Sequence, residues 1–174
     1  MAHDIVVRKG TLVGAPMSET KPTAIVAAAV PPRRGSGYPN PFSVPCADRQ
    51  KHALGDAFGL TDFGVNVVIL PPGAWSSQRH WHSAEDELVY ILDGCPTLVT
   101  DEGRTPLEPG MCAGFPAGEA NGHHLVNETE QSVTYLEVGS RRADDDVDYP
   151  DIDMQIRGRG AGGPFSHKDG RPYA

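Results

Sequence analysis

His80, His82, Glu87 and His123 give this chain three imidazoles and one carboxylate within two short blocks. The first block runs Gly73-x6-His80-x-His82-x4-Glu87-x6-Gly94. The second runs Gly110-x5-Pro116-x-Gly118-x4-His123-x3-Asn127. Side chains of these types, carried on strands between glycine turns, are what a mononuclear divalent metal site requires. Three neutral imidazoles and one carboxylate would leave a divalent ion with a net charge of about +1. An octahedral shell would keep two positions open for water, dioxygen or a chelating substrate. One divalent ion per chain is therefore expected, and the donor set suits Fe, Mn, Ni, Cu or Zn alike. Such an ion polarises a carbonyl, stabilises an enolate or binds dioxygen beside one.

The elements that position these groups follow from strand period. Side chains alternate faces along a strand, so a strand over 76–82 turns His80 and His82 the same way. Gln78 would share that face and is the expected substrate or supporting contact. His82 and Glu87 are an odd number of residues apart, so a turn over Ser83–Asp86 is needed to return Glu87 to the interior. Val89 and Ile91 then face in, and Leu88, Tyr90 and Leu92 face out. That outward set is apolar and needs a cover: a second sheet, the N-terminal arm or a partner subunit. His124 adjoins His123, and only one of the two can face the ion from a regular strand. The spacing to Asn127 favours His123, although a bulge would exchange them.

The chain has 174 residues, enough for one domain with its own core. Glycine (20) and proline (16) are abundant, and many short apolar runs lack helical period. This pattern predicts an all-β fold. Strands are expected at 65–70, 76–82, 87–93, 97–100, 111–115, 123–127 and 132–138, separated by turns such as Pro71-Pro72-Gly73 and Glu108-Pro109-Gly110. Residues 1–46, broken by seven prolines, read as an arm covering the barrel or a partner, with extended pieces at Ile5–Val7 and Ala24–Val30. Residues 47–139 form the barrel. Residues 140–174 form an irregular tail, which Tyr149, Ile152, Met154, Ile156 and Phe165 can order against it. Asp144–Asp148, Glu85 and Asp86 read as solvated charge.

A net charge of −8 with no basic cluster argues against a nucleic-acid partner. No apolar run approaches the ~20 residues of a membrane span. With no signal-peptide pattern and no C-x-x-C among three cysteines, a cytoplasmic, reduced protein is expected, its thiols packed as small apolar groups.

The two blocks resemble the paired motifs of the cupin superfamily: glycine, His-x-His, glutamate, glycine, then glycine, Pro-x-Gly, histidine, asparagine. The likeness covers Gly73 to Asn127, about a third of the chain, with 15 residues between the blocks. The spacer before His80 is one residue longer than the commonest form, and that from Gly118 to His123 two longer. Flanking segments resemble a bacterial group of small cupins sometimes labelled sugar-phosphate isomerase. The resemblance implies a double-stranded β-helix (jelly-roll) barrel, a homodimer, and metal ligation by His80, His82, Glu87 and His123, with Glu87 also able to accept a proton.

The first expectation for function is a metalloenzyme acting on a small oxygen-rich chelating substrate by dioxygenase-type oxidation. The second is an isomerase, epimerase or lyase working through an enediolate. For phosphorylated sugars it would need inward-facing Lys or Arg, and none is evident on the expected ligand face. The third is a non-catalytic sensing or storage barrel.

Overall fold

The computed structural model describes residues 21–158 and 163–173, so the expected extended piece at Ile5–Val7 lies outside the described residues. The strands are β1 (Arg33–Arg34), β2 (Gln50–Ala53), β3 (Phe63–Leu70), β4 (Trp81–His82), β5 (Glu87–Asp93), β6 (Thr97–Thr100), β7 (Gly103–Pro106), β8 (Cys112–Phe115), β9 (His124–Val126), β10 (Val133–Ser140), β11 (Val147–Tyr149) and β12 (Met154–Ile156). One short helix, α1 (Leu54–Phe58), links β2 to β3. No described helix is long and apolar enough to cross a membrane.

Two layers face each other. One is a six-stranded antiparallel sheet in the order β1-β2-β3-β10-β5-β8. The other is assembled from β7-β6-β9 and β4-β11-β12. Single bridges Trp75–Val126 and His80–His123 stitch these two pieces together. The result is the expected all-β jelly roll. Its core lies between the layers, where Val68, Leu70, Val89, Ile91, Val133 and Tyr135 meet Ala74, Leu107 and Leu125. Gly94 takes φ +77° at the end of β5, and a β-carbon there would meet the Ser132 carbonyl at 2.9 Å. The β5 exit turn is therefore reserved for glycine.

Several elements depart from the sequence reading. The strand expected over 76–82 is regular only at Trp81–His82, and 76–79 form a bend. Here side chains compete with the ladder. The Ser76 hydroxyl accepts from the Leu125 amide (2.8 Å), and the Arg49 guanidinium takes the Ser76 carbonyl. Residues 24–30 contain a 3₁₀ turn at Ala27–Ala29, as three alanines without β-branching allow. Arm residues Arg33–Arg34 and barrel residues Gln50–Ala53 extend the six-stranded sheet. The irregular tail carries β11 and β12. They form a second core of Val147, Tyr149, Met154 and Ile156, onto which Tyr38 and Phe42 of the arm pack. Of the thiols, only Cys46 is buried; Cys95 and Cys112 are exposed rather than packed.

Candidate metal centre

His80, His82 and His123 come from the composite layer and Glu87 from the six-stranded sheet, so the cluster lies where the layers meet. His80 and His123 form a directly opposed pair, exchanging both backbone hydrogen bonds (3.2 and 2.9 Å). β4 then carries His82 two residues on from His80. The turn at Ser83–Asp86 delivers Glu87 to the first inward position of β5, opposite Gly139 of β10. A β-carbon at Gly139 would stand 3.5 Å from the Glu87 Cγ, so glycine leaves that carboxylate room.

The Glu87 Oε2 lies 3.0 Å from His123 Nε2, 3.4 Å from His82 Nε2 and 3.7 Å from His80 Nε2. Ligands about 2.1 Å from one ion and roughly 90–110° apart are separated by about 3.0–3.4 Å. His123 and His82 fall within that range and His80 stands just outside it, and His80, Glu87 and His123 lie close enough together to hold one ion.

Protonation supports the same fit. The His80 Nδ1 lies 2.9 Å from the Gln78 carbonyl, and the His82 Nδ1 lies 2.6 Å from Asp145. Both oxygens can only accept, so both Nδ1 atoms carry hydrogen and both Nε2 atoms present lone pairs. On His80 and His82 those lone pairs aim at a carboxylate, acceptor against acceptor, an arrangement that a divalent cation resolves. Burial pushes the His80 pKa down to about 3, against the opposing pull of Glu87, so this imidazole is neutral near pH 7. Burial acts to raise the Glu87 pKa, but the hydrogen bond with His123 and the surrounding imidazoles outweigh it. The carboxyl is held well below the usual carboxylate range. Ring rotation is limited by Phe115 stacked on His123 (3.5 Å, 2°) and by Tyr149 lying over His80 (5.7 Å, 25°).

His124 is turned away, its Nδ1 2.9 Å from the Ser77 carbonyl and its ring edge-on to Trp75. Gln78 is not brought into the site. Its side-chain amide donates to the Phe42 carbonyl at 2.7 Å, and it is absent from the described cavity lining. The shared-face expectation assumed an unbroken strand, and the bend at 76–79 removes that period. Asn127 is fully buried and closes its turn, donating to the Leu70 and Gln131 carbonyls.

Asp145 was missed. It lies in what reads as a solvated acidic run, yet it is 0 % exposed. Besides His82, it accepts from the amides of Ala84 (2.8 Å) and Glu85 (3.2 Å). It therefore fixes both the imidazole and the turn that returns Glu87. Glu85 is also mostly buried and lines the cavity. No local sequence signal separates Asp145 from its neighbours; only the pairing of β11 with β4 does.

The cluster opens into a cavity of about 860 Å³, and a smaller one of about 270 Å³ touches His82, Glu87 and His123 as well. Arg33, Arg49, Lys51, Arg141 and Arg142 line the larger cavity. These cations were not visible on the expected ligand face because they come from the arm, from β2 and the residue before it, and from the segment after β10. Arg141 is engaged with Asp56, and Arg142 with Asp144.

The cupin domain family matches residues 66–139. A search of curated protein sequences gave no match. Among solved structures, a cupin-superfamily sugar phosphate isomerase from Silicibacter pomeroyi is 42% identical, with a TM-score of 0.81 over 87% of this chain and 96% of that one. A protein from Acidithiobacillus ferrooxidans with a provisional sugar phosphate isomerase assignment is 30% identical, with a TM-score of 0.65 over 74% of this chain and 81% of that one. A provisionally assigned oxalate decarboxylase from Thermotoga maritima, 20% identical with a TM-score of 0.54 over 67% of this chain and 97% of that one, shares the fold. Likeness to the Silicibacter pomeroyi structure over nearly all of its length, with the domain match across both histidine blocks, makes this chain a member of the cupin superfamily.

Proposed function

We propose that this protein is a metal-dependent enzyme acting on a small, oxygen-rich, anionic substrate by proton transfer through an enediolate, in the manner of a sugar phosphate isomerase. The observation that carries this reading is the cavity itself. Three imidazole Nε2 atoms and the Glu87 carboxylate converge at one place in it, while lysine and arginine side chains line its walls. His80, His82, Glu87 and His123 would hold one divalent ion, of Fe, Mn, Ni, Cu or Zn type. That ion would supply Lewis acidity toward a substrate carbonyl or hydroxyl pair. The remaining work belongs to the chain. Cationic walls draw in and orient an anionic substrate, and the buried Tyr149 with the partly buried Tyr38 helps exclude water. The two relatives at 42% and 30% identity support the isomerase direction. Gln78 is assigned to the arm rather than to chemistry.

Dioxygenase-type oxidation is the second reading, favoured by the three-histidine, one-glutamate donor set. One experiment separates the two. The natively purified protein is analysed for metal, then incubated with hydroxy-aldehyde and hydroxy-ketone phosphates in an oxygen electrode and, in parallel, without oxygen. Conversion that persists without oxygen is the expected result. Substrate-dependent oxygen uptake would replace it with the oxidative reading, and absence of stoichiometric metal would sink both.

A homodimer is part of the proposal. Leu88, Tyr90 and Leu92 on the outer side of β5 are 42%, 41% and 47% exposed, and Val65, Val67, Leu136 and Val138 continue that apolar face by register. A second copy of the chain would cover it.

A further inference from the structure

A second carboxylate stands in the cavity beside the candidate metal ligands. Glu137 lies on the inward face of β10, paired with Val89 of β5 and Asn66 of β3. Glu87 is opposite Gly139, two residues along. Diagonal neighbours of this kind on one sheet face are about 7–8 Å apart, a gap that a small hydroxy-carbonyl compound spans. Both carboxylates line the same cavity.

Their oxygens are differently committed. Glu87 Oε2 faces three imidazole nitrogens at 3.0–3.7 Å. The Glu137 Oε1 accepts from Lys51 Nζ at 2.7 Å and from Asn66 Nδ2 at 2.9 Å. The Glu137 Oε2 takes no hydrogen bond from the described residues, so one oxygen is anchored and the other is free. Lys51 keeps two further N–H groups beyond its bond to Glu137. Both side chains are mostly buried, at 26% and 20% exposure. An ion pair withdrawn this far from water roughly breaks even in stability. Its presence in the cavity is better explained by chemistry than by folding.

We propose that Glu137 is the catalytic base that moves the proton in this cavity, with Lys51 and Asn66 as the residues that position it. The inference rests on the enediolate reading above. The free oxygen of Glu137 takes a proton from the carbon beside the substrate carbonyl. The C–H electron pair becomes the C=C bond of the enediolate, and the carbonyl oxygen takes the charge. Glu137, now a carboxylic acid, returns the proton to the former carbonyl carbon. The neighbouring hydroxyl proton passes between the two oxygens, and the new carbonyl forms one carbon along. Atoms and electrons balance without an oxidant, and the carboxylate is regenerated. Glu87 stays with the imidazoles throughout.

The test uses the full-length, metal-loaded protein and a panel of three- to six-carbon hydroxy-aldehyde and hydroxy-ketone phosphates in D2O. Proton NMR follows loss of the hydrogen beside the carbonyl. The wild type should exchange it. Glu137→Gln should lose at least about 100-fold in exchange rate, with metal content by elemental analysis unchanged and the native circular dichroism spectrum kept at the assay temperature. Glu137→Asp should recover part of that loss. Lys51→Met should lower kcat more than it raises KM, and Lys51→Arg should restore most of it, a pattern a merely structural ion pair would not give. Exchange by Glu137→Gln at the wild-type rate overturns the proposal, as does absence of exchange by the wild type across the panel. Failure of the metal reading shows separately, as a wild-type protein purified without metal.

Discussion

At the scale of residues, the centre depends on which imidazole nitrogen is free. Hydrogen bonds to the Gln78 carbonyl and to Asp145 hold Nδ1 protonated on His80 and His82, and so leave Nε2 facing Glu87, where the proposed ion would be held. His123 approaches Glu87, whereas His124 is spent on the Ser77 carbonyl. His123→Ala should therefore lose stoichiometric metal while His124→Ala keeps it, as read by elemental analysis of folded protein. The reverse pattern would exchange their roles. Asp145→Asn nearly preserves shape, but the amide can place an N–H toward His82 and no longer supplies the same acceptor. Metal affinity should fall about 10- to 100-fold, measured by competition with a chromophoric chelator. An unchanged affinity would reduce Asp145 to a turn-bracing residue. The histidines and Glu87 were legible in the sequence because motif spacing names them. Asp145 was not, because its partners are about 60 residues away and its own surroundings read as polar surface.

At the scale of elements, the bend at 76–79 is the departure with most consequence. A regular strand would have turned Gln78 toward the cavity. The bend instead gives its amide to the Phe42 carbonyl and gives the Ser76 carbonyl to Arg49. The arm is thereby pinned to the layer that carries the histidines. Gln78→Ala should cost about 1 kcal/mol, the usual net value of one hydrogen bond, and speed proteolysis between residues 38 and 46. Metal content should not change. A loss of metal without faster proteolysis would return Gln78 to the centre. Parity alone called for a break over Ser83–Asp86, and there the chain crosses from β4 in one layer to β5 in the other instead of closing a hairpin. Strands β2, β11 and β12 escaped because they are only three or four residues long and their pairing partners are distant in sequence.

At the scale of the whole molecule, two opposed layers bring one ligand group from each side to a common point, with arm and tail packed together beside them. The outer face of the six-stranded sheet remains apolar and partly exposed. Tyr90→Glu combined with Leu88→Lys should convert a dimer to a monomer in size-exclusion chromatography with light scattering. A wild-type monomer, or a double variant that stays dimeric, would move the interface elsewhere. Sequence by itself determined the β class, the four candidate ligands, the turn before Glu87 and the apolar outer stripe of β5. All of these follow from alternation, turn chemistry and local spacing, which act over a few residues. Tertiary structure alone decided that Asp145 backs His82, that Gln78 serves the arm, and that Lys51 and Glu137 share the cavity with Glu87. Those outcomes depend on which strands pair and in what register. A shift of one residue in the ladders of β2 or β10 would have turned Lys51 or Glu137 to the opposite face.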